Sequence, residues 1–375
     1  MKRISMALLF SACVAGSWAQ QGSEPIDLKE ITSGKFRQIT NVGEMRSLPD
    51  GEHYTSMNPK RTMIVKYSYR TGNPVDTLFN VATARECTID KFDNYEISST
   101  GHRILILCDV EPIYRRSTQA TVYDYDVRRN YLKPLSDAPG KQMIPTFSPD
   151  GRMCAYVKDN NIWIRKFDYD TEIQITKDGK QNAILNGITD WVYEEEFSVT
   201  NLMAWSPDSK VLAFVRSDES EVPEYSMQVY GDGLYPGYYN FKYPKAGEKN
   251  STVSVMAYNV ESKDTKKLDI PMDADGYIPR ITFTTKPEQL AVMTLNRQQN
   301  RFNMFYTNPK SGVSKLILKE ENKCYVDSEW LTSIHFMESG FTYVSEQDGY
   351  SHIYLYSPTG VMQRQITKGN WDVTA

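Results

Sequence analysis

Short apolar runs, each entered through a turn signal, recur along the chain. Phe147-Ser148-Pro149-Asp150-Gly151 leads into Met153-Cys154-Ala155-Tyr156-Val157, and Trp205-Ser206-Pro207-Asp208-Ser209 leads into Val211-Leu212-Ala213-Phe214-Val215. Looser copies follow Asn58-Pro59-Lys60, Ser99-Thr100-Gly101, Lys286-Pro287 and Glu338-Ser339-Gly340. Runs this short, bounded by Gly, Pro, Asn, Asp and Ser, predict strands. The marks Pro59, Gly101, Asp150, Asp208, Pro287 and Gly340 stand roughly 40 to 80 residues apart, which is the rhythm of propeller blades. One small sheet cannot bury both of its faces, so blades stack around an axis and bury each other. No helical pattern of about 10–15 residues alternates with the strands, which disfavours a parallel α/β sheet. A β-sandwich would space its strands more tightly and evenly. The pattern therefore predicts an all-β propeller.

Two intervals are longer than the rest. One holds Asn186-Gly187-Ile188-Thr189-Asp190-Trp191-Val192-Tyr193-Glu194-Glu195-Glu196-Phe197, and the other a Tyr-, Gly- and Pro-rich stretch from 218 to 250. Long connections in a compact repeat fold tend to carry function.

Composition narrows the function. The chain has 43 Lys and Arg against 47 Asp and Glu, with no long block of either sign, so a nucleic-acid partner is not expected. Its 25 tyrosines suit a β-rich fold. The start of the chain reads as an export signal. Lys2 and Arg3 precede an apolar stretch, and Ser17 and Ala19 flank Trp18 as small residues before a cleavage point. The expected division is a signal peptide at 1–19 and a propeller at 20–375, with a periplasmic or cell-envelope location. Ser11-Ala12-Cys13 also allows a lipoprotein. No stretch approaches the roughly 18 apolar residues of a membrane-spanning helix. The four later cysteines and the four histidines are scattered without metal-ligand spacing, so neither a metal nor a cofactor is expected.

The run Glu194-Glu195-Glu196 sits between apolar Trp191 to Tyr193 and Phe197. By residue type alone it is either a solvated acidic turn or a cation-binding site. The longer segment from Asn186 to Glu196 resembles the glutamate motif of dipeptidyl peptidase IV and its relatives in the prolyl oligopeptidase clan. Glu221-Val222-Pro223, Tyr243-Pro244-Lys245-Ala246-Gly247, Gly349-Tyr350-Ser351-His352-Ile353 and Ile366-Thr367-Lys368-Gly369-Asn370-Trp371 resemble that family in the same order.

The resemblance implies an eight-bladed propeller with a short helical insertion that offers two glutamates, here Glu195 and Glu196, to the α-ammonium of a peptide with a free N-terminus. It also implies a propeller arginine for a substrate carbonyl. Arg115 matches by spacing, with Arg116 one residue away. The family's second Phe-Arg contact has no counterpart in Cys324 to Trp330. The Tyr-rich stretch resembles the arm through which relatives form homodimers.

A serine peptidase of this clan needs a nucleophile in a Gly-x-Ser-x-Gly elbow. None occurs here; Gly349-Tyr350-Ser351-His352-Ile353 lacks the second glycine. No catalytic residue and no α/β-hydrolase domain are therefore expected in this chain. Six blade marks against eight expected blades suggest a truncated product, a fragment or half of a split gene, inactive alone and of limited stability. The expected parent is a dipeptidyl peptidase releasing X-Pro and X-Ala dipeptides. The alternative is a non-enzymatic secreted propeller that binds peptides or envelope proteins.

Overall fold

The computed structural model describes residues 27–37 and 44–374. The expected export signal at 1–19 lies outside the described residues. The chain divides into two compact units, Met1–Met45 and Arg46–Ala375. In the first, the described part is one short helix, α1 (Leu28–Thr32), whose N-cap Asp27 accepts the Lys29 N–H at 2.9 Å.

Among its described residues the second unit holds six antiparallel sheets of four or five strands that follow one another in chain order, and one two-stranded sheet. The first joins Arg46–Ser47, His53–Met57, Met63–Ser68 and Pro74–Asn80, and the second joins Asn94–Ile97, Arg103–Pro112, Thr118–Asp126 and Tyr131–Pro134. The third joins Met143–Phe147, Met153–Lys158, Asn161–Lys166 and Thr171–Gln174. The fourth has five strands: Ile184–Asn186, Met203–Trp205, Val211–Asp218, Thr252–Asn259 and Thr265–Lys267. The fifth runs from Tyr277–Phe283 through Ser314–Glu321, and the sixth from His335–Met337 through Met362–Gln365. The six larger sheets are the blades of a β-propeller; five of the six sequence marks fall at the turn between neighbouring strands of one blade, and the sixth, Gly340, opens the strand that follows such a turn. No α/β-hydrolase layer is present among the described residues.

Repetition of the Ser-Pro-Asp phrase has a local cause. Ser148 Oγ donates to Asp150 at 2.6 Å and accepts the Met153 N–H at 3.0 Å; Ser206 Oγ donates to Asp208 at 2.6 Å and accepts the Val211 N–H at 2.9 Å. Side-chain oxygens that take up turn N–H groups specify a tight reversal without help from elsewhere. Asp150 N also donates to Ser209 Oγ at 3.1 Å, tying the turns of the third and fourth blades together.

Burial of one central strand is complete in the third and in the fifth blade. Met153–Lys158 and Leu290–Leu295 are buried along their whole length. A strand sealed on both faces reads as a continuous apolar run, which is why these two stand out in the sequence. Cys154 lies in the first of these strands and Cys108 in Arg103–Pro112 of the second blade, both as buried free thiols, and burial pushes the Cys108 thiol up to about 12.

Two insertions interrupt the fourth blade. A seven-residue helix, α2 (Trp191–Phe197), separates its first two strands. A two-stranded antiparallel arm (Glu224–Val229 with Gly237–Lys242) separates Val211–Asp218 from Thr252–Asn259. Both insertions fall in the two long sequence intervals.

Candidate functional site

Gly187 starts the site. It lies at φ +75°, where a side chain is strained, and an added Cβ would stand 2.6 Å from Met203 Cγ. Its N–H donates to Val215 O and its carbonyl accepts from Leu202 N, both at 2.9 Å. The chain can therefore leave the first strand of the fourth blade and turn at once toward α2. Asp190 caps that helix by accepting the Tyr193 N–H at 3.0 Å, and Ser251 Oγ donates to its second oxygen. Burial holds the Asp190 carboxyl above its ordinary range, against the pull of those donors.

Tyr193 and Phe197 face inward. The Tyr193 hydroxyl accepts the Ile278 N–H of the fifth blade at 2.9 Å, and both rings pack edge-on to Tyr277, at 6.1 and 5.2 Å. On the other side Trp191 lies 4.3 Å from Tyr243 at the base of the arm. The helix is thus pinned from two directions, although seven residues alone would not hold a helix in water.

The three glutamates on this helix have three different environments. Glu194 is sealed, with 0% exposure. Its Oε1 accepts the backbone N–H groups of Arg116 and of Ser117, the latter at 2.8 Å, while its own carbonyl accepts from Arg116 Nη1 at 3.2 Å. Glu195 is half-buried, and both of its oxygens meet Arg115 Nε, at 2.9 and 3.1 Å. Glu196 is exposed and makes no hydrogen bond or ion pair with the described residues. Hydrogen bonds to an ionised acceptor contribute about 1.5–3 kcal/mol each. An ion pair open to solvent contributes about 0–1 kcal/mol. With the Arg115 side chain 70% exposed, the Glu194 bonds outweigh the Arg115–Glu195 pair in holding this region together.

The partner loop, 113–117, joins two strands of the second blade. Ile113 N donates to Ser117 O at 2.9 Å and Tyr114 N to Ser117 Oγ at 3.2 Å, which closes the loop on itself. Tyr114 packs 5.8 Å from Phe241 of the arm, and burial raises its hydroxyl far above the ordinary value. Arg115 is left projecting between these two anchors. Its Nη groups make no hydrogen bond with the described residues.

Behind the loop lies a cavity of about 750 Å³, bordered by Ile113, Tyr114, Ser117, Thr189, Glu219 and Tyr239. Glu219 is 4% exposed, and its carboxyl is pushed up to about 7, first by burial and then by Asp190, with Lys242 acting against the shift.

Of the residues singled out in the sequence, Glu195 and Arg115 are in contact. Glu196 stands beside them, facing solvent. Arg116 turns its guanidinium to the Glu194 carbonyl instead. Sequence reasoning missed Glu194, Asp190 and Tyr114 as structural partners of the site. A signal for Glu194 existed: on a helix it lies three residues before the apolar Phe197 and so shares its face. Among the described residues no group of three or more His, Cys, Asp or Glu could hold a metal ion, and no helix is long and apolar enough to cross a membrane.

Six antiparallel blades among the described residues, with an acidic helix facing an arginine loop, define the class as a β-propeller carrying a charged insertion. Residues 98–375 match the family described as the dipeptidyl peptidase IV (DPP IV) N-terminal region, and the chain belongs to that family. It is 31% identical over 302 residues to a probable dipeptidyl-aminopeptidase B of Aspergillus niger, covering 72% of this chain and 33% of that protein. It is 28% identical over 364 residues to the human prolyl endopeptidase FAP, covering 92% of this chain and 47% of that one. The crystal structure of Porphyromonas gingivalis dipeptidyl peptidase 4 superposes with a TM-score of 0.91 at 63% identity, over 94% of this chain and 50% of that one. The chain thus spans half or less of the length of these relatives.

Proposed function

We propose that this chain is the substrate-gating propeller of a serine-type dipeptidyl peptidase that releases X-Pro and X-Ala dipeptides from peptide N-termini. In this reading Glu195 and Glu196 hold the α-ammonium of the peptide, and the unpaired Nη donors of Arg115 hold a carbonyl of its first residues. The observation that carries the reading is the division of labour along α2: Glu194 is spent internally, Glu195 is met by Arg115, and Glu196 beside it is open to solvent. An ammonium between two carboxylates makes charge-assisted bonds that an acetylated amine cannot make. Holding the amine at a fixed distance from a nucleophile would also set the length of the released product at two residues. That nucleophile is not expected within this chain, which lacks the Gly-x-Ser-x-Gly elbow, so the purified chain should not hydrolyse a Gly-Pro chromogenic substrate.

Calorimetry tests the reading directly, with an X-Pro peptide bearing a free N-terminus compared with its N-acetylated twin. The free peptide should bind, the acetylated one should not, and Glu195→Gln/Glu196→Gln should abolish the difference. Equal binding of both peptides would overturn it.

Two further proposals accompany this reading. The arm carries a homodimer contact, because its tip exposes Tyr230, Leu234, Tyr235 and Tyr238. Residues 1–19 direct export to the periplasm or cell envelope, on the pattern of basic, apolar and small residues there.

A further inference from the structure

We propose that Glu194 is a positioning residue for Arg115, setting where that guanidinium stands relative to Glu195. The proposal rests on the reading above, in which Arg115 and Glu195 are recognition groups, and adds a third glutamate with a separate task.

Arg115 and Glu195 belong to different blades and lie 80 residues apart in the chain. Their own contact is too exposed to fix the loop that carries Arg115. The bonds that cross between the same two elements away from solvent run through Glu194. Its Oε1 takes the N–H groups of the two residues that follow Arg115, and its carbonyl takes the Arg116 guanidinium. On the other side of Arg115, Tyr114 is fixed by the arm. A long flexible side chain placed between two fixed backbone points samples far fewer positions than one on a free hairpin.

Glu194 is also poorly suited to meet a ligand itself. It is sealed from solvent, and its Oε2 has no hydrogen-bond partner among the described residues. A buried carboxylate with one orphaned oxygen is costly, and two backbone donors on the other oxygen offset part of that cost. Glutamine keeps an Oε1 acceptor for the same two N–H groups, whereas alanine removes it.

A double-mutant cycle separates positioning from mere structural support. Binding of the free-amine and acetylated X-Pro peptides is measured by calorimetry for the parent chain, Glu194→Ala, Glu194→Gln, Arg115→Ala and both double variants. Near-ultraviolet circular dichroism checks that each is folded. Glu194→Ala should weaken free-amine binding by at least about tenfold, Glu194→Gln should restore most of it, and neither should weaken it further once Arg115 is alanine. Trypsin should nick the chain after Arg115 or Arg116 faster in Glu194→Ala than in Glu194→Gln. If the alanine variant does not fold, Glu194→Asp, whose shorter side chain withdraws the acceptor from the two N–H groups, carries the same comparison in both Arg115 backgrounds. Equal losses in both Arg115 backgrounds would overturn the positioning role while leaving amine recognition intact. If the parent chain fails to distinguish the two peptides, the recognition reading fails and the positioning role falls with it.

Discussion

Arg115 Nε stands 2.9 and 3.1 Å from the two carboxylate oxygens of Glu195, and this contact joins the second blade to the helix inserted in the fourth. The pair is solvated on the arginine side, so it contributes little to stability. Arg115→Met should change the unfolding free energy by no more than about 1 kcal/mol, measured by urea denaturation. The same variant should reduce binding of a free-amine X-Pro peptide. A large stability loss would mean that the pair is structural.

Gly187 is the point where the blade hands over to the glutamate helix. Gly187→Ala places a Cβ at φ +75° and 2.6 Å from Met203 Cγ. The expected cost is about 1–3 kcal/mol, from backbone strain and overpacking. Peptide binding should weaken as well, because α2 must shift. A variant of unchanged denaturation midpoint would show that the turn has slack.

Glu219 makes stability depend on pH. Its folded-state value of about 7 lies above the ordinary 4.5, so the folded chain holds this proton more tightly than the unfolded chain does. The resulting stabilisation is complete below the ordinary value and is lost as pH rises through about 7. At about 1.4 kcal/mol per unit, the loss is on the order of 3 kcal/mol. Asp190 and Asp218 raise the value and Lys242 lowers it, so the balance depends on the base of the arm. Denaturation between pH 5 and pH 8 should show Glu219→Gln flattening the slope and exceeding the parent chain at pH 8. Asp124, pushed up to about 6 chiefly by burial, contributes in the same direction to both proteins and drops out of the difference.

The arm tip offers a test of association. Replacing Tyr230, Leu234 and Tyr235 together by serine should abolish any dimer seen by sedimentation velocity. The monomer's melting temperature should hardly change, since these side chains are 76, 98 and 88% exposed. Unchanged sedimentation of a dimeric parent would place the contact elsewhere.

Part of this molecule is local and was legible in its sequence. The turns at Asp150 and Asp208 are built by side chains two to five residues away, so their phrases repeat wherever the turn repeats. The buried strands Met153–Lys158 and Leu290–Leu295 are legible for the same reason, as continuous apolar runs. Glu195, Glu196 and Arg115 could be named only through a resemblance, because nothing in their own spacing says that they meet.

The sequence by itself determined the blade rhythm, the positions of the two insertions and the acidic character of the helix. Tertiary structure alone decided which glutamate is sealed, which is paired and which is left open. It also decided that Arg115 rather than Arg116 reaches Glu195, and that Glu219 is buried beside Asp190. The reason is physical. Three identical carboxylates in a row differ only in what surrounds them, and those surroundings come from strands tens of residues away, brought close by the stacking of the blades.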